Sequence, residues 1–226
     1  MTYAFEPVPQ PTLPIKGSDK LFPVHRVYCV GRNYAEHTKE MGGDTKDPPF
    51  FFQKNPDNLV TNGRFAYPAQ TSNVHFEVEM VVALKSGGSN IKTEDALSHV
   101  FGYGVGIDMT RRDLQDVAKK LARPWEVAKA FEQSGPCSAL VPAAQVPSCS
   151  KGAIWLDVNG ARKQTGDLSQ MIWDVPGQIA YLSTLFELKP GDVIFSGTPA
   201  GVGAIKKGDT MHAHVDGVGD LEVLVV

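Results

Sequence analysis

The sequence predicts a strand-rich domain with a minority of short helices, and three observations carry that expectation. Residues 73–84, NVHFEVEMVVAL, alternate with period two, as a strand with one face packed in a core does. Val74, Phe76, Val78, Met80, Val82 and Leu84 fall on one side, and His75, Glu77, Glu79, Val81 and Ala83 on the other. The chain holds 22 glycines and 16 prolines in 226 residues, which demands many turns. Asn159-Gly160 between AIWLDV and ARKQ is a type I′ hairpin signal, and DGVG at 216–219 joins a second hairpin.

Composition narrows the function classes. A chain of this length that is 42% hydrophobic suits one large soluble domain with at most a small appendage. A net charge of −3 with no basic run argues against nucleic acid, and no apolar run approaches a membrane span. The start, MTYAFEPVPQPTLPIKG, lacks a signal-peptide pattern. Cys29, Cys137 and Cys149 are odd in number without a CxxC, so free thiols in a reducing compartment, the cytoplasm, are expected.

In chain order, Pro7, Pro9, Pro11, Pro14 and Pro23 make residues 1–24 an extended arm, leaving 25–226 as a single catalytic domain. Residues 24–30 read as a strand ended by Gly31, and 33–41 as a short helix stopped by Gly42 and Gly43. His37 and Glu40, three apart, share a face of that helix. A carboxylate beside an imidazole fixes its tautomer, as a general base requires, although an exposed surface pair has the same spacing. The GGDTKDPP stretch that follows suggests a movable lid carrying that base. Residues 48–54 form an aromatic strand with Phe50, Phe51 and Phe52 as core, ending on Lys54, which is either solvated or faces a pocket. Thr93 caps a brief helix over 93–100.

Residues 101–110, FGYGVGIDMT, form a second strand whose alternate glycines need a close backbone or ligand. It carries Asp108 towards Glu77 and Glu79. Residues 110–122 are the clearest helix, with Thr110 and Asp113 as a capping box and Arg112 and Gln115 beside Asp108. Lys129 sits among apolar neighbours in WEVAKAF, either snorkelling or aimed at an anion. Asp174 caps a helix with Pro176 at its first position. SGTPAGVG at 196–203 lacks the GK[ST] of a P-loop, but its N–H groups and the Thr198 hydroxyl suit a carboxylate. His212 and His214 share a strand face and read as surface or structural groups.

Glu77 and Glu79 alone fit a solvated edge strand as well as a metal site. With Asp108 they make a three-carboxylate set for a hard dication, Mg²⁺ or Mn²⁺ rather than Zn²⁺, since no His or Cys joins them at ligand spacing. Lys54, Arg112, Gln115, Lys129 and Thr198 would hold an anionic substrate, and His37 with Glu40 would move a proton. The set suits a metal-bound small carboxylic acid with a neighbouring carbonyl.

The stretches VYCVGRNYAEHTKEMG, HFEVE, GYGVGIDMTRRDLQ, VAKAF and SGTPAGVG resemble, in order and spacing, the fumarylacetoacetate hydrolase family, from about residue 26 to the C-terminus. The short bacterial members, acylpyruvases and fumarylpyruvate hydrolases, are the nearest in kind. The resemblance implies a mixed, strand-rich α+β roll that forms homodimers. It implies Glu77, Glu79 and Asp108 as ligands of Mg²⁺ or Mn²⁺, and His37 with Glu40 as a lid-borne dyad that activates water. Arg112, Gln115, Lys129 and Thr198 match positions that hold the pyruvoyl end, with Lys129 also countering enolate charge, and Lys54 matches a site-lining lysine. Where the family commonly has KSFD, this chain has Lys129-Ala130-Phe131-Glu132.

The activity implied is hydrolysis of a carbon–carbon bond in an acylpyruvate, and likeness over 22–59 favours fumarylpyruvate, cleaved to fumarate and pyruvate as in aromatic (gentisate) catabolism. The same site chemistry serves an oxaloacetate decarboxylase, a tautomerase or a decarboxylase/isomerase. A non-catalytic dicarboxylate-binding module is the contrasting class, and the His37–Glu40 pair separates it from an enzyme.

Overall fold

The computed structural model describes residues 2–40 and 48–226. Its first strands are β1 Thr12–Pro14, β2 Leu21–Pro23, β3 Val27–Gly31, β4 Phe50–Lys54, β5 Leu59–Val60 and β6 Arg64–Phe65. The central ones are β7 Val74–Phe76, β8 Val78–Leu84, β9 Val100–Ile107, β10 Thr110–Arg111, β11 Gly135–Pro136 and β12 Val141–Pro142. The last are β13 Ala153–Val158, β14 Ala161–Asp167, β15 Val193–Phe195, β16 Gly203–Ile205, β17 Thr210–Val215 and β18 Gly219–Val225. The α-helices are α1 Ala35–Glu40, α2 Arg112–Lys120, α3 Glu126–Lys129 and α4 Val175–Leu185.

The alternating run folds as two strands rather than one. β7 joins a three-stranded sheet, β10-β7-β16, while β8 lies inside a six-stranded sheet, β12-β9-β8-β15-β3-β4. Glu77 is the residue at the break. There Val78 N–H bonds the Gln164 side chain at 2.9 Å, so the buried donor keeps a partner. A five-stranded sheet, β14-β13-β17-β18-β6, packs against the six-stranded one. β15 runs parallel to β3 and antiparallel to β8, which makes the six-stranded sheet mixed. The fold is the expected strand-rich α+β roll.

β8 is buried on both faces, not one. Val78, Met80, Val82 and Leu84 meet Ile154, Leu156, Met211 and Val223 of the five-stranded sheet. Val81 and Ala83 join a second core with Leu13, Phe22, Cys29, Leu140, Val193 and Phe195. That core explains the N-terminal segment. It is exposed over residues 2–10, but β1 and β2 then pair as a hairpin that lowers Leu13 and Phe22 onto the six-stranded sheet.

The glycines of β9 make room for protein. A Cβ at Gly102 would sit 2.4 Å from the Val141 carbonyl oxygen, and one at Gly106 would sit 2.6 Å from the Phe195 ring. The Asn159-Gly160 turn has positive φ at both residues, as a type I′ turn requires.

Several local expectations are corrected. Phe50, Phe51 and Phe52 are half-buried rather than core, because β4 is an edge strand. The turn over Thr93–His99 is 3₁₀, with Lys92 and not Thr93 as its cap. α2 starts after Arg111 without a side-chain cap; Thr110 is drawn to Lys129, and Asp113 binds Thr71 at 2.6 Å. Asp174 caps α4 by accepting from Gly177 N–H, with Pro176 at the second helical position. His212 and His214 both bond Asp220 across the β17–β18 pair, a neighbour that sequence spacing did not show. The stop of the first helix at Gly42-Gly43 and most of the lid stretch lie outside the described residues.

If the hairpin is part of the core, Leu13→Ala should cost about 2–5 kcal/mol. Val8→Ala, in the exposed stretch, should stay within about 0.5 kcal/mol. Urea unfolding of the two variants checks both, and equal midpoints would remove the hairpin from the folding unit.

Candidate active site

Three chain segments deliver the carboxylates. Glu77 lies at the β7–β8 break, Glu79 one turn of the pleat later, and Asp108 just past the end of β9. β8 and β9 pair antiparallel with Val78 opposite Ile107, and Asp108 N–H bonds the Glu77 carbonyl at 2.8 Å. The break turns Glu77 out of the ladder without carrying it away from Glu79. One oxygen from each of the three side chains lies within 4.8 Å of the others, and all three residues are buried.

Cations surround two of the three. Lys129 Nζ donates to Glu77 Oε2 and Asp108 Oδ2, both at 2.8 Å, and to Thr110 Oγ1 at 2.7 Å. Its three N–H donors are therefore all engaged. Arg112 donates to the other Glu77 oxygen and to Gln115. Lys54 Nζ stands 2.8 Å from Asp108 Oδ1 and also donates to the Lys129 carbonyl. Lys54 is neither solvated nor part of the cavity wall; it backs Asp108 from inside. Among the described residues Glu79 has no such cation. Its Oε2 accepts from Gly197 N–H at 2.7 Å.

The titration of the carboxylates follows this asymmetry. Burial alone would raise Glu77, but Lys129 and Arg112 outweigh it and hold the group well below the usual carboxylate range. Burial raises Glu79 well above that range, and the charges of Asp108 and Glu77 push it further. Lys129 loses stability as a cation through burial, yet Asp108 and Glu77 more than restore it.

The cavity over these groups is lined in part by His37, Arg112, Gln115, Lys129 and Thr198. His37 Nδ1 lies 3.1 Å from Glu40 Oε2. With Glu40 accepting from Nδ1, the lone pair is on Nε2, the nitrogen left for chemistry. Thr198 Oγ1 accepts from Gln164 at 2.8 Å, so its own hydroxyl proton is available to an acceptor. The cavity thus brings together eight of the ten side chains expected from the sequence, with Glu40 acting through His37 and Lys54 lying behind Asp108.

Several contributors were not legible beforehand. Gln164 sits mid-strand in β14 with an ordinary hairpin sequence around it, yet it holds both the β7–β8 break and the Thr198 loop. Asn33 bonds the Trp173 and Ser196 carbonyls and ties α1 to the 196–203 loop. Gly197 has φ 100°, and a Cβ there would meet Asn33 Cβ at 2.6 Å; only glycine brings its N–H to Glu79 at that spacing. His75, on the same side of the alternating run as Glu77 and Glu79, accepts from Arg112 Nε at 3.3 Å and lies off the cavity wall. Arg32, Phe50, Phe52, Lys119 and Trp125 also line the wall.

Residues 26–226 match the fumarylacetoacetate (FAA) hydrolase C-terminal family. A fumarylpyruvate hydrolase of a Ralstonia species is 44% identical over 177 residues, covering 78% of this chain and 92% of the relative. An oxaloacetate tautomerase of Escherichia coli is 40% identical over 199 residues, covering 87% of this chain and 90% of the relative. Among solved structures, fumarylpyruvate hydrolase from Pseudomonas aeruginosa in complex with Mn²⁺ and pyruvate superposes with a TM-score of 0.97 at 49% identity, covering 100% of this chain and 99% of that one. With its carboxylate cluster on the break of the central strand and its match running to the last residue, the chain belongs to the fumarylacetoacetate hydrolase family.

Proposed function

We propose that the protein is a divalent-cation-dependent hydrolase of acylpyruvates, with fumarylpyruvate as the favoured substrate, cleaved with water to fumarate and pyruvate. The observation that carries this is the pairing of two half-sites in one cavity. A buried three-carboxylate cluster lies at its floor, and a histidine oriented by a carboxylate lies on its wall. A binding module needs the first and has no use for the second.

The donor set fits a hard dication. Three carboxylates converge, and Glu79 is left without a cation among the described residues. Glu77, Glu79 and Asp108 would hold Mg²⁺ or Mn²⁺. When bound, the ion supplies Lewis acidity for the pyruvoyl oxygens and neutralises enolate charge.

The remaining work belongs to side chains. Arg112, Gln115 and the Thr198 hydroxyl hold the carboxylate end, which fixes the distal keto carbon towards His37. His37 Nε2 takes a proton from water as its oxygen attacks that carbon, and Glu40 stabilises the imidazolium. The bond from that carbon to the methylene then breaks. Its electron pair stays on the pyruvate fragment as an enolate, which a proton on the methylene carbon converts to pyruvate. Lys129, its donors taken, acts on this charge through space and holds Glu77 and Asp108 in place.

A second reading has its own support. The Escherichia coli relative is an oxaloacetate tautomerase, and keto–enol proton transfer at oxaloacetate needs the same enolate. Products from fumarylpyruvate, acetylpyruvate and oxaloacetate separate the two. Pyruvate release from the first two supports hydrolysis, whereas enol loss from oxaloacetate without pyruvate supports tautomerisation. No helix among the described residues is long and apolar enough to cross a membrane. With the hydrolase reading we place a homodimer, as in the family, in a reducing cytoplasm, where free buried Cys29 and Cys137 are stable.

Two outcomes follow. His37→Ala should lower kcat by roughly 10²- to 10⁴-fold while Mn²⁺ binding by calorimetry persists; near-normal turnover would sink the dyad. Because burial and the charges of Asp108 and Glu77 raise Glu79, a cation must displace a proton held more tightly than on an ordinary carboxyl, so Mn²⁺ affinity should rise with pH above the usual carboxylate range. Glu79→Gln should flatten that rise and weaken Mn²⁺, and EDTA should abolish turnover until Mn²⁺ is restored. Activity indifferent to EDTA would count against the cation.

A further inference from the structure

The cavity has a second, opposite chemistry at its outer wall. Arg32 and Lys119 line it, and both are half-buried. Arg32 Cζ lies 5.8 Å from the centre of the Phe50 ring, and Lys119 Nζ lies 5.5 Å from the centre of the Trp125 ring. Phe50 and Trp125 meet edge to face at 5.3 Å. The four side chains therefore form one continuous wall, cation, ring, ring, cation, with Phe52 beside it.

Neither cation has a carboxylate partner among the described residues. Glu77, Glu79 and Asp108 are already committed to one another and to Lys129, Arg112, Lys54 and Gly197. Lys119 feels burial first and then the repulsion of Arg112 and Arg32, which lowers its hold on a proton. Two like charges on one partly desolvated wall favour a ligand that brings an anion. Arg32 follows Gly31 with φ 57°, a left-handed conformation that an ordinary residue rarely adopts. A guanidinium is kept at a position where glycine would be relaxed.

Resting on the acylpyruvate reading above, we propose that Arg32 and Lys119 form a second anion subsite that receives a carboxylate at the acyl end of the substrate. The flat faces of Phe50, Phe52 and Trp125 suit a planar, unsaturated chain between the two ends. The pocket then selects acylpyruvates whose acyl group is a conjugated chain ending in a carboxylate, over short neutral acyl groups. Arg32 and Lys119 set specificity and do not take part in bond cleavage.

The test compares the wild type with R32M/K119M and with K119M alone. The ratio of kcat/KM for fumarylpyruvate to that for acetylpyruvate should fall roughly 10- to 100-fold in the double variant. Because it is a ratio, loss of folded protein cancels. K119M alone should shift it in the same direction. A ratio unchanged in both variants overturns the subsite. Binding to the Mn²⁺-loaded protein is read in parallel by calorimetry with fumarate and with crotonate, which has the same planar chain and one carboxylate fewer. The wild type should prefer fumarate, and R32M/K119M should lose that preference. If the wild type cleaves neither acylpyruvate, the hydrolase reading fails and the calorimetry still decides: a fumarate preference that the variant loses supports the subsite, and no preference, or one that survives, overturns it.

Discussion

The structure depends on one buried ammonium. Lys129 Nζ sits between Glu77 and Asp108 and reaches Thr110, in a site from which solvent is almost excluded. Without it two carboxylates would face each other in low dielectric, and removing one member of such a set leaves an uncompensated buried charge that costs about 3–5 kcal/mol. The lysine is delivered by α3, a single turn of helix, whose carbonyl at the same residue is held by Lys54 and Ser134. Backbone and side chain of one residue are therefore fixed from two directions. This gives Glu77 and Asp108 a fixed cation to share and leaves Glu79 as the carboxylate whose ionised form burial opposes.

The β topology serves that arrangement. A regular strand through Glu77 would carry the ladder on past the site. The break between β7 and β8 hands β7 to another sheet, and Gln164 fills the gap in the hydrogen-bond ladder. The same amide fixes the Thr198 loop, so the carboxylate floor and the loop that faces it are adjusted by one side chain. Burial of β8 on both faces gives the floor its rigidity, because Val81 and Ala83 are locked under the N-terminal hairpin while Met80 and Val82 are locked under the five-stranded sheet.

Much of this was legible in the residues. The period-two run, the Asn-Gly hairpin and the carboxylate positions follow from local pattern, and local pattern is what sequence records directly. The reading of Thr110 as a cap failed because a buried ammonium competes for its hydroxyl more strongly than an exposed helix end does. Phe50, Phe51 and Phe52 were read as core because hydrophobicity does not say that β4 is an edge, nor that its rings wall a cavity. Lys54 was ambiguous for the same reason: a strand end looks alike whether it meets water or the back of Asp108. Gln164 and Asn33 carried no signal at all. Their work is done across 86 and 163 residues of chain, and long-range hydrogen bonds leave no periodicity.

Stability alone gives no reason for such a centre. Replacing a buried ion cluster with apolar side chains of similar volume is often neutral or favourable, and this chain has apolar residues to spare around it. It instead keeps Glu77, Glu79, Asp108, Lys54, Lys129 and Arg112 nearly water-free in one place. Five of the six satisfy one another, while Glu79 is the misfit: buried, repelled by its neighbours and, among the described residues, bonded to a single backbone N–H. Local conflict inside an otherwise consistent fold marks a place shaped by ligand chemistry. A dication resolves the conflict, and the positive charge it adds gives a multiply charged anion a reason to enter a cavity floored with carboxylates.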